Sequence, residues 1–293
     1  MKILVIGGNG QVGWELQRSL MPLGTLIVLN SSNLNLVNSD AIRQTIQDIK
    51  PNVIVNAAAY TAVDKAESES ELAMQINGIA PGIMAEEAKL MKALLIHYST
   101  DYVFDGTKSS AYNENDVTNP LNSYGRSKLA GEQAIQAVDV DHIILRTSWV
   151  YSQRGSNFLL TMLRLMKERE TLRVIDDQLG SPTWARLIAE ATAQIMTKVG
   201  YEQKQGEFQS GLYHLSSTGQ TSWHGFAAKI AELARKQAQS LNICDIIPIT
   251  TKEYPTPAAR PMNSRLSTVS LTERFSLKML GWDEALSLCM DSS

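Results

Sequence analysis

The sequence of 293 residues predicts an α/β fold in which a doubly wound parallel sheet is covered by helices on both faces. Short apolar segments, partly β-branched, alternate with helical patterns through the first half of the chain. The first apolar segment breaks into a glycine-rich turn that leads directly into a helical pattern. After Trp149 the strict alternation fades, so the parallel sheet is expected mainly in the first half.

The predicted elements of the first half follow in regular order. Strands are predicted over residues 2–6, 25–29, 53–56, 93–98 and 142–146. Helices are predicted after Gly13 and over residues 40–49, 72–90 and 123–138, with a bend at Pro81 inside the third of them. Because ligands bind such sheets at the carboxyl ends of the strands, the residues that follow each strand are the first functional candidates.

The second half is predicted to be less regular. Helical patterns cover residues 157–167, 183–197 and 221–237, and Thr221 or Ser222 is the expected N-cap of the last. A short strand is predicted over 212–215 and a polar surface loop over 200–211. The four prolines between residues 248 and 261 predict irregular structure there.

The composition narrows the classes of partner. The net charge is −3 and no dense Lys/Arg tract occurs, so we do not expect a nucleic-acid partner. No apolar run approaches the ~20 residues that span a bilayer, so no membrane partner is expected either. Cys244 and Cys289 show no metal-binding spacing, and the four histidines are scattered, so no metal site is predicted. A cytoplasmic protein with reduced thiols is the simplest interpretation.

The glycine turn after the first strand is the first candidate site. Its glycines fit both the Gly8-x-Gly10-x-x-Gly13 spacing and the variant that begins at Gly7. Residues without side chains let the backbone approach a pyrophosphate, and the first free N–H groups of the following helix face its charge. An ordinary tight turn is the alternative. The pattern predicts a Rossmann-like dinucleotide site made by Gly7, Gly10, Gln11, Val12 and Gly13.

Two further strand ends border the expected cofactor. The second strand ends at Asn30 and offers neither the acidic residue typical of NAD sites nor the arginine typical of NADP sites. NADPH and NADH therefore remain equal candidates, and a plain polar turn is the alternative. Small residues after the third strand would let a flat ring lie against the backbone, although tight packing explains them as well. These residues are Ala57, Ala58 and Ala59, followed by Tyr60.

The most specific candidates are Thr100, Tyr124 and Lys128. Thr100 ends the fourth strand, and Tyr124 and Lys128 lie four residues apart on one helix face. A tyrosine titrates near pH ~10, but a neighbouring ammonium favours the phenolate, so Lys128 is expected to lower the pKa of Tyr124. A surface pair of no functional importance is the alternative for Tyr124 and Lys128 alone. Together with the glycine turn, the three residues predict an acid–base site.

Longer blocks make the chain resemble the extended short-chain dehydrogenase/reductases, and within them the dTDP-4-dehydrorhamnose reductase family. The resemblance extends from residue 3 to residue 266. The blocks are the glycine turn, residues 56–67, 99–106 and 120–128, Arg146–Tyr151, residues 177–183, and 260–266. It implies a Thr, Tyr and Lys triad at Thr100, Tyr124 and Lys128.

The chain departs from this family at the predicted cofactor site. The family usually carries an acidic residue near the end of the second strand and an Asp-Leu pair in the following turn, where this chain has Asn30 and Asn35-Leu36. Asn30, Asn35 and Leu36 are still expected beside the cofactor, without a strict preference for NAD. Some relatives use magnesium, but no acidic cluster predicts Mg2+ here, so it is only a possible cofactor.

The resemblance also implies how the chain is divided and how it holds its substrate. Residues 1–150 would form the dinucleotide-binding domain, with later segments crossing back to it, and residues 151–293 mainly a smaller substrate-binding domain. A nucleotide-sugar substrate would need cations and an aromatic platform. Arg260 and Arg265 are the candidate phosphate partners, unless they form surface ion pairs. Trp149 is a candidate sugar platform, unless it is core, and Thr100 and Asp101 would contact the sugar.

The implied reaction is NAD(P)H-dependent reduction of the C4 keto group of dTDP-4-dehydro-6-deoxy-L-mannose to dTDP-L-rhamnose, a precursor of cell-surface polysaccharide. An epimerase or dehydratase of the same superfamily is one alternative, although Thr100-Asp101-Tyr102 supplies only one carboxylate where a dehydratase needs an additional acid and base. A non-catalytic regulatory relative is another, and the intact triad argues against it. A homodimer is a possible assembly.

Overall fold

The computed structural model describes residues 1–291 and contains a six-stranded sheet, three two-stranded pairs and ten α-helices in that range. The strands are β1 (Lys2–Ile6), β2 (Thr25–Leu29), β3 (Val53–Asn56), β4 (Leu94–Thr100), β5 (His142–Thr147), β6 (Val150–Tyr151), β7 (Thr171–Ile175), β8 (Leu179–Gly180), β9 (Thr183–Trp184), β10 (Gly211–His214), β11 (Thr221–Ser222) and β12 (Asp245–Ile249). The α-helices are α1 (Gln11–Leu20), α2 (Ser39–Ile49), α3 (Ser70–Met74), α4 (Ala80–Met91), α5 (Ser123–Gln136), α6 (Phe158–Glu168), α7 (Ala185–Gln205), α8 (Trp223–Lys236), α9 (Val269–Phe275) and α10 (Trp282–Asp291).

The central sheet has the strand order β10-β5-β4-β3-β1-β2, and all its neighbouring strands are parallel. The order reverses between β1 and β3, which is the position where doubly wound sheets bind their ligands. Nearly every residue of β1, β3, β4 and β5 is buried, as expected for strands covered on both faces. The predicted doubly wound α/β fold is confirmed.

Separate apolar cores line the two faces of this sheet. One contains Val5, Leu16 and Ile188 and extends into α7, while the other contains Leu4, Ile46 and Met84. Successive side chains of a strand point to opposite faces of the sheet, so Leu4 and Val5 of β1 pack into different cores. A third core, which includes Trp184, Phe226 and Leu286, lies in the second half of the chain.

The chain crosses back to the sheet after residue 150. Helix α7 packs against α1, and β10 adds the sixth strand beside β5. The prediction of a loop over 200–211 is wrong for its first half, because α7 continues to Gln205 and Glu202 is buried in an ion pair with Arg274. Segments after residue 150 thus contribute to the central sheet and its cover, while the division of the chain into two domains at residue 150 stays a prediction.

Other predicted elements are confirmed with small changes in their bounds. The long helix predicted over 72–90 consists of α3, a π-helical turn at Gln75–Ile79, and α4, with Pro81 in the first turn of α4. The side chain of Ser222 accepts a hydrogen bond from the Gly225 amide, so Ser222 is the N-cap of α8. Pro248 lies in β12, which pairs with β7 at the edge of a two-stranded sheet, so the prediction of irregular structure is wrong for 248–249.

The π-helical turn brings α5 close to its neighbours. A Cβ on Gly131 of α5 would overlap the carbonyl oxygen of Asn77 in that turn. Asn77 also donates to the hydroxyl of Ser127 at 3.0 Å. Close packing at Gly131 and Ser127 therefore fixes the position of α5 relative to the π-helical turn, and with it the positions of Tyr124 and Lys128. Within residues 1–291 no helix is both long and apolar enough to cross a membrane.

Candidate active site

A cavity of about 460 Å³ opens at the carboxyl edge of the central sheet. This volume lies in the range of ordinary small-molecule sites, ~300–1,000 Å³. Residues from both halves of the chain line it: Gln11, Thr61, Val63, Asp64, Ser99, Thr100, Asp101, Tyr102, Tyr124, Thr147, Trp149, Val150, Ser156, Asn157, Phe158, Trp223 and Arg260. The walls thus include the ends of β4 and β5 and the start of α5.

The glycine turn adjoins this cavity through Gln11. The amides of Gly7 and Gly8 both donate to the carbonyl of Leu29, at 2.8 and 2.9 Å, which closes the turn over the end of β2. Gly7 has a φ of +92°, and a Cβ there would come within 2.6 Å of the Ala58 nitrogen. A Cβ on Gly13 would overlap the Gly7 carbonyl oxygen. The turn is therefore a bare backbone cradle in front of the first turn of α1, which fits a dinucleotide pyrophosphate.

The other predicted cofactor residues do not line the cavity. The Asn30 oxygen accepts from the amide and hydroxyl of Ser32, and the Asn35 oxygen accepts from the Val37 amide. Their acceptor atoms are therefore occupied by local turns. Val12, Ala57, Ala58 and Leu36 are partly buried against the two cores of the sheet.

Tyr60 follows the alanines on the loop after β3. Its hydroxyl donates to Glu69 at 2.5 Å, and this hydrogen bond raises the pKa of the phenol. The backbone amide of Tyr60 donates to the side chain of Asn77. Ala59, which precedes Tyr60, is half-buried. A role for Ala57, Ala58, Ala59 and Tyr60 in cofactor binding stays a prediction.

Thr100 and Tyr124 meet at the floor of the cavity. The Thr100 hydroxyl donates to Asp101 Oδ1 at 3.0 Å and accepts from the Tyr102 amide at 3.2 Å. Burial raises the pKa of Tyr124 above its ordinary value, and a hydrogen bond between its hydroxyl and that of Thr100 only partly opposes this shift. The expected lowering of the Tyr124 pKa by Lys128 is therefore not seen, because desolvation of the phenolate dominates. At neutral pH Tyr124 keeps its proton.

Lys128 is buried one helical turn from Tyr124, but its amine is bound elsewhere. Its Nζ donates to the Tyr98 carbonyl oxygen at 2.6 Å and lies 3.2 Å from Nε2 of His97. Only 2% of the residue is exposed, and this burial lowers the pKa of Lys128 to about 8, with Glu132 opposing the shift. The sequence identified Lys128 but gave no signal that His97 would be its partner.

Asp101 is the buried carboxyl of the site. Burial raises its pKa to about 7, against the opposing hydrogen bonds of Thr100 and Ser264. Within the described residues its Oδ2 has no hydrogen-bond partner. The neighbouring Tyr102 is also buried, and its pKa is raised to about 12. Asp101 therefore holds a buried carboxyl oxygen without a hydrogen-bond partner among residues 1–291, beside Thr100 at the cavity wall.

The two predicted arginines have different surroundings. Arg260 lines the cavity, and its Nη2 forms an ion pair with Asp64 at 2.9 Å. Its buried Nε has no hydrogen-bond partner within residues 1–291. Arg265 lies outside the cavity and donates to Asn263 Oδ1 at 2.8 Å and to the carbonyl of Ser109. The geometry therefore supports Arg260, and not Arg265, as an anion partner.

Trp149 lines the cavity in an unusual backbone conformation, with a φ of +47°. Its ring stacks on that of Trp223 with the centroids 3.5 Å apart and the planes 4° apart, and its Nε1 donates to Ser264 at 3.0 Å. Gly180 leaves the necessary room, because a Cβ there would overlap the indole. Trp149 was predicted to stack on the sugar, but in this structure its partner is Trp223.

Asp64 and Trp223 are functional candidates that the sequence analysis did not select. Asp64 lies in the block of residues 56–67, so its signal was present, while Trp223 opens α8 far along the chain. No group of three or more His, Cys, Asp or Glu side chains in the described part of the chain could hold a metal ion. The residues present therefore provide no evident magnesium site, and no chemical step is assigned to Mg2+.

Comparisons with known proteins agree with this geometry. The family model described as RmlD substrate binding domain matches residues 1–293. The chain is 51% identical to a dTDP-4-dehydrorhamnose reductase of Burkholderia thailandensis, over 99% of this chain and 98% of that protein. It is 47% identical to the protein of the same name from Escherichia coli K12, over 96% of this chain and 94% of that protein.

Solved structures extend the comparison. The dTDP-4-dehydrorhamnose reductase of Bacillus anthracis, in complex with NADP, is 36% identical and has a TM-score of 0.89, with 100% of this chain and 99% of that chain covered. A Thermus thermophilus UDP-glucose 4-epimerase in complex with NAD is 17% identical, with a TM-score of 0.79 and 99% and 98% coverage, and shares the fold. The chain therefore belongs to the RmlD substrate binding domain family, and it is similar over nearly its full length to dTDP-4-dehydrorhamnose reductases.

Proposed function

We propose that this chain catalyses the NAD(P)H-dependent reduction of the C4 keto group of dTDP-4-dehydro-6-deoxy-L-mannose, which yields dTDP-L-rhamnose. The observation that carries the proposal is the convergence of Thr100, Asp101 and Tyr124 in one cavity beside the glycine turn. A phenol that keeps its proton is suited to a reduction, because the forming alkoxide must be protonated.

The glycine turn would hold the cofactor. Gly7, Gly10 and Gly13 leave the backbone bare, and the first N–H groups of α1 point toward the pyrophosphate position. NADPH or NADH bound there supplies the hydride to C4 of the sugar. Asn30, Asn35 and Leu36 remain proposed neighbours of its ribose and adenine, and neither form of the cofactor is favoured by an acidic or basic side chain at Asn30.

Tyr124 is the proposed proton donor. Its burial raises the phenol pKa, so the proton stays on the hydroxyl until a stronger base, the alkoxide at C4, develops beside it. Thr100 would donate to the keto oxygen and hold it near Tyr124, for which its hydroxyl proton must turn from Asp101 Oδ1 toward the substrate. Lys128 is the proposed partner of the nicotinamide ribose, and its backbone anchor at Tyr98 fixes the amine in place.

The remaining cavity residues fit the nucleotide sugar. Asp101 lines the cavity, and its carboxyl is the proposed partner of a sugar hydroxyl. Arg260 also lines the cavity, and its guanidinium is the proposed partner of a phosphate oxygen, with the ion pair to Asp64 holding it in position. Trp149, stacked on Trp223, forms a flat wall against which the sugar ring can pack.

The assay follows NAD(P)H oxidation at the nicotinamide absorbance with purified protein and the keto-sugar nucleotide. We expect one NAD(P)H consumed for each sugar reduced, and a loss of turnover by ~10²–10⁴ in Tyr124→Phe. Tyr151→Phe is the matched control, since Tyr151 is fully buried, lies outside the cavity and has a hydroxyl without a hydrogen-bond partner in residues 1–291. Near-full turnover by Tyr124→Phe would overturn the proposal.

The same assay separates the alternatives. An epimerase or dehydratase recycles its cofactor, so the sugar would be converted without net NAD(P)H consumption. A regulatory relative would bind the cofactor without turning over the sugar. A homodimer and the division of the chain at residue 150 remain predictions. Light scattering tests the first, and limited proteolysis tests the second.

A further inference from the structure

A buried hydrogen-bonded chain leads away from Lys128 to the loop after β3. Nζ of Lys128 lies 3.2 Å from Nε2 of His97, and Nδ1 of His97 lies 3.1 Å from Nδ2 of Asn56. Asn56 and His97 are register partners on the adjacent strands β3 and β4. The exposed fractions of Asn56 and His97 are 0%, so no solvent competes for these contacts.

The orientation of Asn56 fixes the direction of the hydrogen bonds. Its Oδ1 accepts from the Ala58 amide at 3.2 Å, which places Nδ2, a donor, against His97. Nδ1 of His97 must then be the acceptor, so the single proton of the neutral ring sits on Nε2. The ring is neutral because its burial, the largest cause, lowers the pKa of His97 well below its ordinary value whether or not Lys128 is charged.

The position of the proton on His97 determines how Lys128 can hydrogen-bond to the ring. Nε2–H of His97 points at Nζ, and two donors cannot bond to each other, so Nζ must accept through its lone pair. Only the neutral amine has a lone pair, and it still donates one hydrogen to the Tyr98 carbonyl. The arrangement therefore corresponds to an uncharged Lys128.

The charged form of Lys128 needs a different arrangement. An ammonium would donate to Nε2, so the ring proton would have to move to Nδ1, and Asn56 would have to turn its oxygen toward the ring. That rotation breaks the hydrogen bond from the Ala58 amide. The change takes up one proton from solvent in total, because the imidazole carries one proton in both states.

We propose that His97 and Asn56 are positioning residues that control the protonation state of Lys128 through this relay and couple it to the backbone of the predicted cofactor loop at Ala58. The proposal rests on the proposed function only for the role of Lys128. The lowering of the Lys128 pKa to about 8 is consistent with it, since both states are then accessible near neutral pH.

Other charged groups on the elements packed against α5 have partners of their own or face solvent. Glu132 is paired with Arg146, Glu87 with Arg43, Glu67 with the Ser123 amide, Lys89 with the Val138 carbonyl, and Asp101 with Thr100, while Lys65 and Glu71 are exposed. Of these, Glu132 raises the pKa of Lys128. His97 is thus the only titratable side chain among the described residues with a hydrogen-bond contact to Nζ.

The test is nuclear magnetic resonance on the full chain, with ¹⁵N-labelled histidine rings and ¹³C-labelled lysine Cε, between pH 6 and pH 10. Above the Lys128 midpoint we expect the His97 proton on Nε2, and below it on Nδ1, with both signals sharing one midpoint. A His97 tautomer that stays constant while Lys128 titrates would overturn the proposal. The measurement needs no sugar, so a failure of the proposed reductase activity would not affect it.

Asn56→Asp sharpens the test. Both carboxylate oxygens are acceptors, so the ring proton should stay on Nδ1 and the Lys128 midpoint should rise by about one pH unit or more. Gln178→Glu is the matched control, because it replaces another buried amide outside the relay and should leave both signals unchanged. An unchanged Lys128 midpoint in folded Asn56→Asp would contradict the relay. If Asn56→Asp does not fold, the common midpoint of the His97 and Lys128 signals in the unaltered chain still tests the proposal.

Discussion

Glu132→Gln removes the carboxylate from a deeply buried ion pair next to the proposed site. Glu132 accepts from Nε of Arg146 at 2.9 Å and from Nη2 at 2.7 Å, and the two side chains are only 2% and 4% exposed. The third nitrogen, Nη1, is buried without a partner in residues 1–291, so the guanidinium has no alternative acceptor there. Breaking such a pair from one side costs about 3–5 kcal/mol.

Urea unfolding of the variant measures this cost, which would be a large fraction of the ~5–15 kcal/mol that stabilises a typical domain. The control is Glu168→Gln, which breaks the exposed ion pair between Arg164 and Glu168 and should cost under about 0.5 kcal/mol. Glu132→Gln should also lower the pKa of Lys128 below about 8, since the Glu132 carboxylate raises it. A destabilisation no larger than that of the control would refute the reasoning.

Two further predictions concern the glycine turn and Asp101. Gly13→Ala should weaken NAD(P)H binding at least tenfold, about 1.4 kcal/mol, because the added Cβ would overlap the Gly7 carbonyl oxygen. Fluorescence titration of the cofactor measures this affinity. An unchanged affinity would contradict the prediction. The folded-state pKa of Asp101 is raised to about 7, so the folded state loses stability as the pH rises from about 4 to above 7. Asp101→Asn should therefore stabilise the protein more at pH 8 than at pH 5, by more than about 1 kcal/mol in urea unfolding, and equal effects at both pH values would argue against it.

The sequence predicted the sheet because its signals are local. The apolar runs of β1, β2 and β3 and the glycine turn at Gly7 need no knowledge of distant residues, and their bounds agree with the structure. The long resemblance blocks also located Thr100, Tyr124 and Lys128.

Contacts between residues far apart in the chain could not be predicted from the sequence patterns. The stack of Trp149 on Trp223 joins residues far apart in the chain, and Gly180 beneath it gave no local signal. The direction of the Tyr124 pKa shift was mispredicted because spacing on a helix indicates the neighbouring Lys128 but not the desolvation of the phenol. The prediction of a loop at Gly200 was wrong because tertiary packing of α7 outweighs the low helix propensity of glycine.

In the proposed reaction, hydride passes from the nicotinamide to the sugar in the cavity that holds Tyr124. The most direct measurement uses nicotinamide cofactor deuterated at the transferred position and follows the label into the product by nuclear magnetic resonance. We expect one deuterium on C4 of the sugar for each cofactor oxidised, with the yield strongly reduced in Tyr124→Phe. A product without deuterium at C4, or a converted sugar with no oxidised cofactor, would contradict it.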